Sequence, residues 1–243
     1  MSDIKIINKM TLNSSIHKNI IIQILIDIYS DTTISPYLGF KGGTAAYLFY
    51  GLERFSVDLD LDLLDETKED YIFDRIEKII KKYGTVKENQ KKRYSLFFLL
   101  SYDKKEINAQ NVKIEINRRS FGSKYEVLSF NGISMLVMVK EDMFAHKLVA
   151  MHERTGEASR DIFDVWFFSK NNWEINQDII KQRTGLCYEE FLRVCISELE
   201  KINENNILNG IGELLTEAQK DWVKSRLKIE TVLQLKLRLE SIK

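Results

Sequence analysis

The sequence predicts an α+β fold, with a mixed sheet flanked by helices and an α-helical C-terminal part. Residues 57–64 and 112–118 alternate strictly between apolar and polar side chains, which is typical of strands with one buried face. Residues 16–29 and 69–82 instead repeat apolar side chains at helical spacing. Toward the C-terminus only amphipathic helical segments occur, which indicates a separate helical part.

The remaining elements are predicted from the same patterns. Further strands are predicted at residues 93–102 and 133–139, and further helices at residues 45–52, 141–154, 159–169, 176–181, 188–202 and 217–239. The character of the sequence changes at Lys140, and no proline or low-complexity tract interrupts the helical segments after it. We therefore predict an α+β core over residues 1–139 and a helical domain over residues 140–243.

Composition excludes several classes of protein. A hydrophobic fraction of 44% is too high for a disordered chain. The 36 Lys and Arg balance 36 Asp and Glu, so a strongly basic nucleic-acid coat protein is excluded, although a local basic groove is not. Cys187 and Cys195 lack a Cys-x-x-Cys spacing and are expected to be buried thiols. The N-terminus has no signal pattern and the apolar runs are too short to span a bilayer, so we expect a cytosolic protein without a membrane partner.

Three carboxylates in the predicted strands form a candidate metal site. Asp58 and Asp60 project from one face of a strand, about 7 Å apart along the chain. Glu115 lies in the middle of another strand with the same alternation. Such a trio can bind Mg²⁺ and hold two ions roughly 4 Å apart for phosphoryl transfer. Taken alone, an Asp-x-Asp pair is also typical of a solvated strand face.

A glycine turn precedes this strand. Gly42 and Gly43 permit a tight turn directly ahead of the helix predicted at residues 45–52. Backbone N–H groups at a helix N-terminus favour anions, and the hydroxyl of Thr44 is a further donor. The segment Gly42-Gly43-Thr44 is therefore a candidate triphosphate-binding turn.

A second group of charged residues lies in the helical part. Lys147 and Arg154 are two helical turns apart and share a face, from which both can contact nucleotide phosphates. Asp161 and Asp164 share a face of the next helix. Alternatively, Asp161 interacts with the helix dipole and Asp164 pairs with Arg160 on the surface.

These motifs resemble one family. Phe40-Lys41-Gly42-Gly43-Thr44-Ala45 followed by Arg54-Phe55-Ser56-Val57-Asp58-Leu59-Asp60 resembles the AbiEii/AbiGii toxins of the DNA polymerase β-like nucleotidyltransferase superfamily. The resemblance continues through His146-Lys147-Leu148-Val149-Ala150, Arg154 and Ser159-Arg160-Asp161-Ile162-Phe163-Asp164, and so covers roughly residues 38–170.

The resemblance implies a nucleotidyltransferase fold and a metal-dependent toxin. Mg²⁺ or Mn²⁺ would be the cofactor and a nucleoside triphosphate (NTP) the substrate. The acceptor would be RNA, such as the 3′ end of tRNA, and a cognate antitoxin protein would be the partner. The helical domain would complete the active site.

The implied roles fall on residues already singled out. Asp58, Asp60 and Glu115 would bind metal, and Glu115 would also deprotonate the acceptor hydroxyl. Gly42, Gly43, Thr44, Lys147 and Arg154 would bind the nucleotide. Asp161 or Asp164 would shape the active site, and the sequence does not choose between them. Asp62 extends the acidic face and is expected at its rim.

Other readings stay open at the level of sequence. Lys91-Lys92-Arg93, Arg118-Arg119 and Lys124 are candidate RNA-backbone contacts or solvated loop charges. An enzyme of the same fold that modifies a small molecule or a protein is one rival, and a protein that only binds nucleotide or a partner is another. Trp166, Phe167 and Phe168 are expected in a helix–helix core rather than in a base-stacking platform.

Overall fold

The computed structural model describes residues 2–102 and 111–242, with side chains from residue 15 onward. The chain divides into two compact units that are each discontinuous in sequence. The first unit comprises residues up to 49, 56–120 and 125–137. The second comprises residues 50–55, 121–124 and 138–243, and is therefore helical with two short insertions from the N-terminal half.

A mixed sheet forms the centre of the first unit. Within the described residues its seven strands are β1 (Leu38–Lys41), β2 (Leu59–Leu63), β3 (Thr85–Lys91), β4 (Ser95–Ser101), β5 (Asn111–Asn117), β6 (Tyr125–Phe130) and β7 (Ile133–Met138). They lie in the order β3-β4-β5-β2-β1-β7-β6. Strand β2 runs antiparallel to β1 and parallel to β5, so the two strands that carry the predicted carboxylates are neighbours.

Sequence patterns predicted the inner strands better than the outer ones. The predicted strands at 57–64, 93–102, 112–118 and 133–139 correspond to β2, β4, β5 and β7. The other three were missed, for physical reasons. β1 is only four residues long. β3 and β6 lie at the sheet edges and contain no buried residue, so neither shows a regular apolar face.

In the described part of the first unit, three α-helices accompany the sheet: α1 (Ser2–Ser30), α2 (Gly42–Phe49) and α3 (Glu69–Ile80). The buried side chains of α1 recur at helical spacing over Ile21, Ile24, Leu25 and Ile28, as predicted. Helix α2 begins at the glycine turn itself, three residues before its predicted start, which places Gly42 and Gly43 in its first turn.

The second unit contains six helices within the described residues: α4 (Lys140–Glu153), α5 (Ser159–Lys170), α6 (Gln177–Thr184), α7 (Tyr188–Lys201), α8 (Glu217–Trp222) and α9 (Lys228–Glu240). All were predicted, except that residues 217–239 were expected to form one regular helix. A π-helical segment, Val223–Leu227, joins α8 to α9 instead. No helix in the described part of the chain is long and apolar enough to cross a membrane.

Candidate active site

The three predicted carboxylates lie on one face of the sheet. Asp60 is directly opposite Glu115 in the parallel pairing of β2 with β5. Directly paired residues share a face of a sheet, so Asp60 and Glu115 project to the same side. Asp58 lies one residue before β2, and its carboxylate is near Lys113, which is on the same face as Glu115. Asp58 and Glu115 keep 20% and 37% of their side chains exposed. The structure thus brings together the acids that sequence alternation selected.

A lysine lies among these acids. The Nζ atom of Lys113 is 3.6 Å from Oδ2 of Asp58 and 3.4 Å from Oε2 of Glu115. Burial alone would lower the pKa of Lys113, but the charges of Asp60, Asp58 and Glu115 outweigh it and hold that pKa above its usual value. The ammonium group therefore partly neutralises the three carboxylates.

The chemistry of this acidic face suits a divalent cation. Among the described residues, no three or more His, Cys, Asp or Glu side chains stand in an arrangement that could hold a metal ion. The donor set nevertheless consists of carboxylate oxygens, the ligands that Mg²⁺ prefers. The ammonium of Lys113 lies next to two of them and would compete with a bound cation. The donor chemistry, though not the present arrangement of the side chains, therefore fits a divalent cation.

The glycine turn passes directly over Asp60. Gly42 has φ = +79°, a conformation that side chains rarely adopt, and a Cβ atom at this position would lie 2.9 Å from the Cβ of Asp60. Only glycine permits this approach of the turn to the carboxylate. The N-terminus of α2, where the first backbone N–H groups have no partner within the helix, is thereby held beside the acidic face.

Thr44 is buried, and its hydroxyl is used inside the protein. It donates to the backbone carbonyl of Asp58 and lies 3.0 Å from Oγ of Ser56. The threonine thereby ties the first turn of α2 to the segment that carries Asp58. Its predicted contact with phosphate stays a prediction.

Asp62 does not occupy the rim expected for it. It is buried, and its two oxygens accept hydrogen bonds from Lys41 (2.5 Å), Asn117 (2.7 Å) and the hydroxyl of Tyr125 (2.6 Å). The rim prediction was wrong because donors from β1, β5 and β6 converge on this position. The carboxylate joins these strands.

A buried ion pair organises the second unit. Asp164 is fully buried and accepts a bidentate pair of hydrogen bonds from Arg54, of 2.6 Å from Nε and 2.7 Å from Nη2. Burial alone would raise the pKa of Asp164, but Arg54 and Lys147 outweigh it and leave that pKa below its usual range. Asp164 is therefore an ionised anchor, and a surface pair with Arg160 is not its role.

Lys147 joins the two predicted aspartates. Its Nζ atom lies 2.8 Å from Asp164 and 3.1 Å from Asp161. Asp161 is fully buried in the first turn of α5, and Arg154 lies 2.8 Å from its other oxygen without hydrogen-bond geometry. Both aspartates thus contact Lys147, so the structure does not single out one of them.

The aromatic residues and cysteines of the second unit behave as core or surface residues. Trp166, Phe167 and Phe168 are buried, as predicted for a helix–helix core. Cys195 is buried as expected, whereas Cys187 is exposed because it precedes α7 at its N-cap position. Neither forms a disulfide.

Two residues of these clusters were not singled out from sequence. Lys113 lies two residues before Glu115, so strand alternation alone was sufficient to place it on the acidic face. Arg54 belongs to the motif that carries the family resemblance, but its partner Asp164 lies 110 positions away. No local pattern connects those two.

Comparison with known proteins identifies the family. The model of the family described as nucleotidyl transferase AbiEii toxin, Type IV TA system, matches residues 23–235, most of the chain. The chain belongs to this family. This confirms the resemblance drawn from the motifs, and the match extends well beyond residue 170, where no motif was recognised.

Solved structures share the fold of this AbiEii family member. A Helicobacter pylori protein solved as a proposed nucleotidyltransferase is 21% identical, with a TM-score of 0.65 over 95% of this chain and 98% of that one. MenT4, a nucleotidyltransferase toxin from Mycobacterium tuberculosis, is 16% identical, with a TM-score of 0.57 over 87% and 80%. Comparison with curated proteins gives no match. The predicted fold class is confirmed.

The family assignment states the activity at a coarse level. The protein is a nucleotidyltransferase toxin of a type IV toxin–antitoxin system, and its family implies an NTP substrate and an antitoxin.

Proposed function

We propose that the protein transfers a nucleoside monophosphate from an NTP to the 3′ end of an RNA, with tRNA as the acceptor and Mg²⁺ as the cofactor. The observation that carries this proposal is the acidic face, in which Asp58, Asp60 and Glu115 lie side by side beneath the turn at Gly42. An antitoxin encoded with the toxin is the proposed partner.

The first unit would supply the reacting groups. Asp58, Asp60 and Glu115 would hold a divalent cation, which stabilises charge that develops on phosphate oxygens. Backbone N–H groups of Gly43 and Thr44 would bind the phosphates at the N-terminus of α2. Ser95 donates a 2.8 Å hydrogen bond to Oε1 of Glu115, which orients this carboxylate.

The proposed reaction exchanges one phosphate bond for another. A bond forms between the acceptor 3′ oxygen and the α-phosphorus, the α–β phosphoanhydride breaks, and pyrophosphate leaves. The proton of the acceptor hydroxyl passes to Glu115 as general base.

The second unit would supply a positioned cation. Lys147 would bind nucleotide phosphate as a point charge, with Asp161 and Asp164 fixing its ammonium group. Asp161 and Asp164 therefore act as positioning residues. Arg154 contributes to the same cluster through Asp161 and would be a secondary phosphate contact.

The proposal is tested by label transfer. Protein is incubated with each α-labelled NTP, Mg²⁺ and total tRNA, in parallel with Asp58→Asn and Asp60→Asn. We expect labelled tRNA with wild type and a loss of at least about 100-fold in both variants. Asp70→Asn, which changes an exposed carboxylate of the same unit, is the control and should retain activity. Consumption of NTP with a small acceptor but no labelled RNA would contradict the RNA part of the proposal.

A further inference from the structure

A group of basic and aromatic side chains lies beyond Glu115 in the first unit. We call Lys92, Arg93, Tyr94, Phe97 and Arg119 the basic–aromatic strip. Phe97 on β4 is directly opposite Glu115 on β5, so its ring is on the acidic face. Arg119 follows Glu115 by four residues, a span of at most about 14 Å of chain. The strip therefore begins next to a predicted catalytic acid and continues away from it.

Lysine and arginine side chains lie over the aromatic rings of the strip. Tyr94 is 47% exposed, and the guanidinium carbons of Arg93 and Arg119 lie 4.9 and 5.1 Å from its ring centroid. The Nζ atom of Lys92 lies 3.4 Å from the ring centroid of half-buried Phe97. Exposed aromatic rings beside guanidinium planes are the surfaces on which unpaired bases stack.

The neighbouring basic residues form ion pairs and are therefore not counted in the strip. Arg118 pairs with Glu69 at 2.7 Å, and Lys91 pairs with Asp70. Lys92 approaches Glu88 only at 4.0 Å, the outer limit of an ion pair. Lys92, Arg93 and Arg119 instead lie against the rings of Phe97 and Tyr94, and this position makes them the candidates for phosphate contacts.

We propose that the basic–aromatic strip binds the single-stranded end of the RNA acceptor. Tyr94 and Phe97 stack on bases, and Lys92, Arg93 and Arg119 contact the adjacent phosphates, which leads the RNA terminus toward Glu115. The inference rests on the proposed function, in which the acceptor is RNA. It adds a specificity: single strands are bound in preference to duplexes, because paired bases do not expose their faces to the rings.

Binding of a labelled oligonucleotide tests the strip apart from catalysis. The probe is a fluorescein-labelled single-stranded RNA of about 10 nucleotides, within the usual site size, followed by anisotropy in EDTA so that no transfer occurs. We expect Tyr94→Ala to weaken binding about 5- to 100-fold, the range for loss of one stacked base. Tyr71→Ala is the matched control, because Tyr71 lies in the same unit and is 46% exposed.

The salt dependence tests the basic residues of the strip. We expect Lys92→Gln and Arg119→Gln each to reduce the slope of log affinity against log salt by about 0.7, the value for one phosphate contact on a single strand. Lys87→Gln, at an exposed position of β3, should leave the slope unchanged. Circular dichroism of each variant establishes that it is folded.

The outcomes separate this inference from the proposed function. Equal losses of RNA affinity in Tyr94→Ala and Tyr71→Ala would contradict RNA binding by the strip. Equal affinity for single-stranded and duplex RNA would contradict it as well. If wild type labels tRNA but Tyr94→Ala binds and labels it normally, the strip is wrong and the proposed function stands. If RNA binds through the strip and no NTP gives transfer, the proposed function fails and the strip stands.

Discussion

Asp58 and Asp164 each lie near a lysine, yet Asp164 is completely buried while Asp58 keeps 20% of its side chain exposed. Asp164 also accepts two hydrogen bonds from Arg54, so its charge is matched by two cations. Around Asp58 the balance is reversed, because one lysine faces three carboxylates. The two regions therefore use the same residue types for opposite purposes.

The two regions differ in whether their negative charges are balanced by positive ones. The buried network of the second unit matches its carboxylates with Arg54, Lys147 and Arg154, which makes each of its members costly to remove. The acidic face retains excess negative charge at a partly exposed position, which costs stability and suits a cation. We expect substitutions in the buried network to reduce stability and substitutions in the acidic face to reduce activity.

The largest effect is expected for Asp164→Ala. Truncation leaves the buried guanidinium of Arg54 without its bidentate partner, so the free energy of unfolding should fall by about 3–5 kcal/mol. Urea denaturation followed by circular dichroism measures it. Asp58→Ala is the comparison and should change stability by less than about 1 kcal/mol, because it removes one of three repelling charges. Similar losses in both variants would refute the distinction between the two regions.

In the wild-type protein, lowering the pH should weaken the ion pair between Asp164 and Arg54. The pKa of Asp164 in the folded protein is below its unfolded value of about 3.9. Near that pH the unfolded chain therefore binds more protons, so the stability from Asp164 is present above roughly pH 4 and is lost as pH falls through the folded pKa. Other aspartates with lowered pKa, such as Asp31, contribute to the total. The test is the difference in pH slope between wild type and Asp164→Asn, and identical slopes would contradict it.

Sequence predicted the acidic face because strand geometry repeats every two residues. Once residues 57–64 and 112–118 are strands, Asp58, Asp60 and Glu115 must each face away from the apolar side. The register that pairs Asp60 with Glu115 could not be predicted, since it depends on β2 and β5 being parallel neighbours. The positions of the acids were thus predictable, and their juxtaposition needed the fold.

The buried network was predictable only in part. Helical spacing predicted Lys147 and Arg154 on one face; both contact Asp161, although Arg154 follows the last residue of α4. The partnership of Arg54 with Asp164 spans 110 positions, and nothing in either local segment indicates it. Long-range ion pairs of this kind are set by tertiary packing, so sequence left the roles of Asp161 and Asp164 open.

An intermediate effect is expected for Gly42→Ala. The substitution places a side chain at φ = +79° and brings its Cβ within 2.9 Å of the Cβ of Asp60. Gly51→Ala is a matched control with φ = +73° and no atom within 4 Å. Backbone strain should cost each variant about 1–2 kcal/mol of unfolding free energy, and Gly42→Ala should lose more because it also displaces Asp60. Gly42→Ala alone should also lose at least about tenfold in nucleotidyl transfer, because Asp60 must move. Equal transfer rates in the two variants would show that the close approach of Gly42 to Asp60 does not affect nucleotidyl transfer.

The smallest effect is expected for Lys113→Gln, and it reports directly on the acidic face. Without the ammonium, three carboxylates repel one another, so in EDTA the free energy of unfolding should fall by about 1 kcal/mol. Mg²⁺ should then raise the melting temperature of Lys113→Gln more than that of wild type, since the cation no longer competes with the lysine. Lys87→Gln is the control and should respond as wild type does. If Mg²⁺ raises the melting temperatures of all three proteins equally, Lys113 is not the internal counter-ion of the acidic face. Asp58 and Asp164 would then differ only in burial.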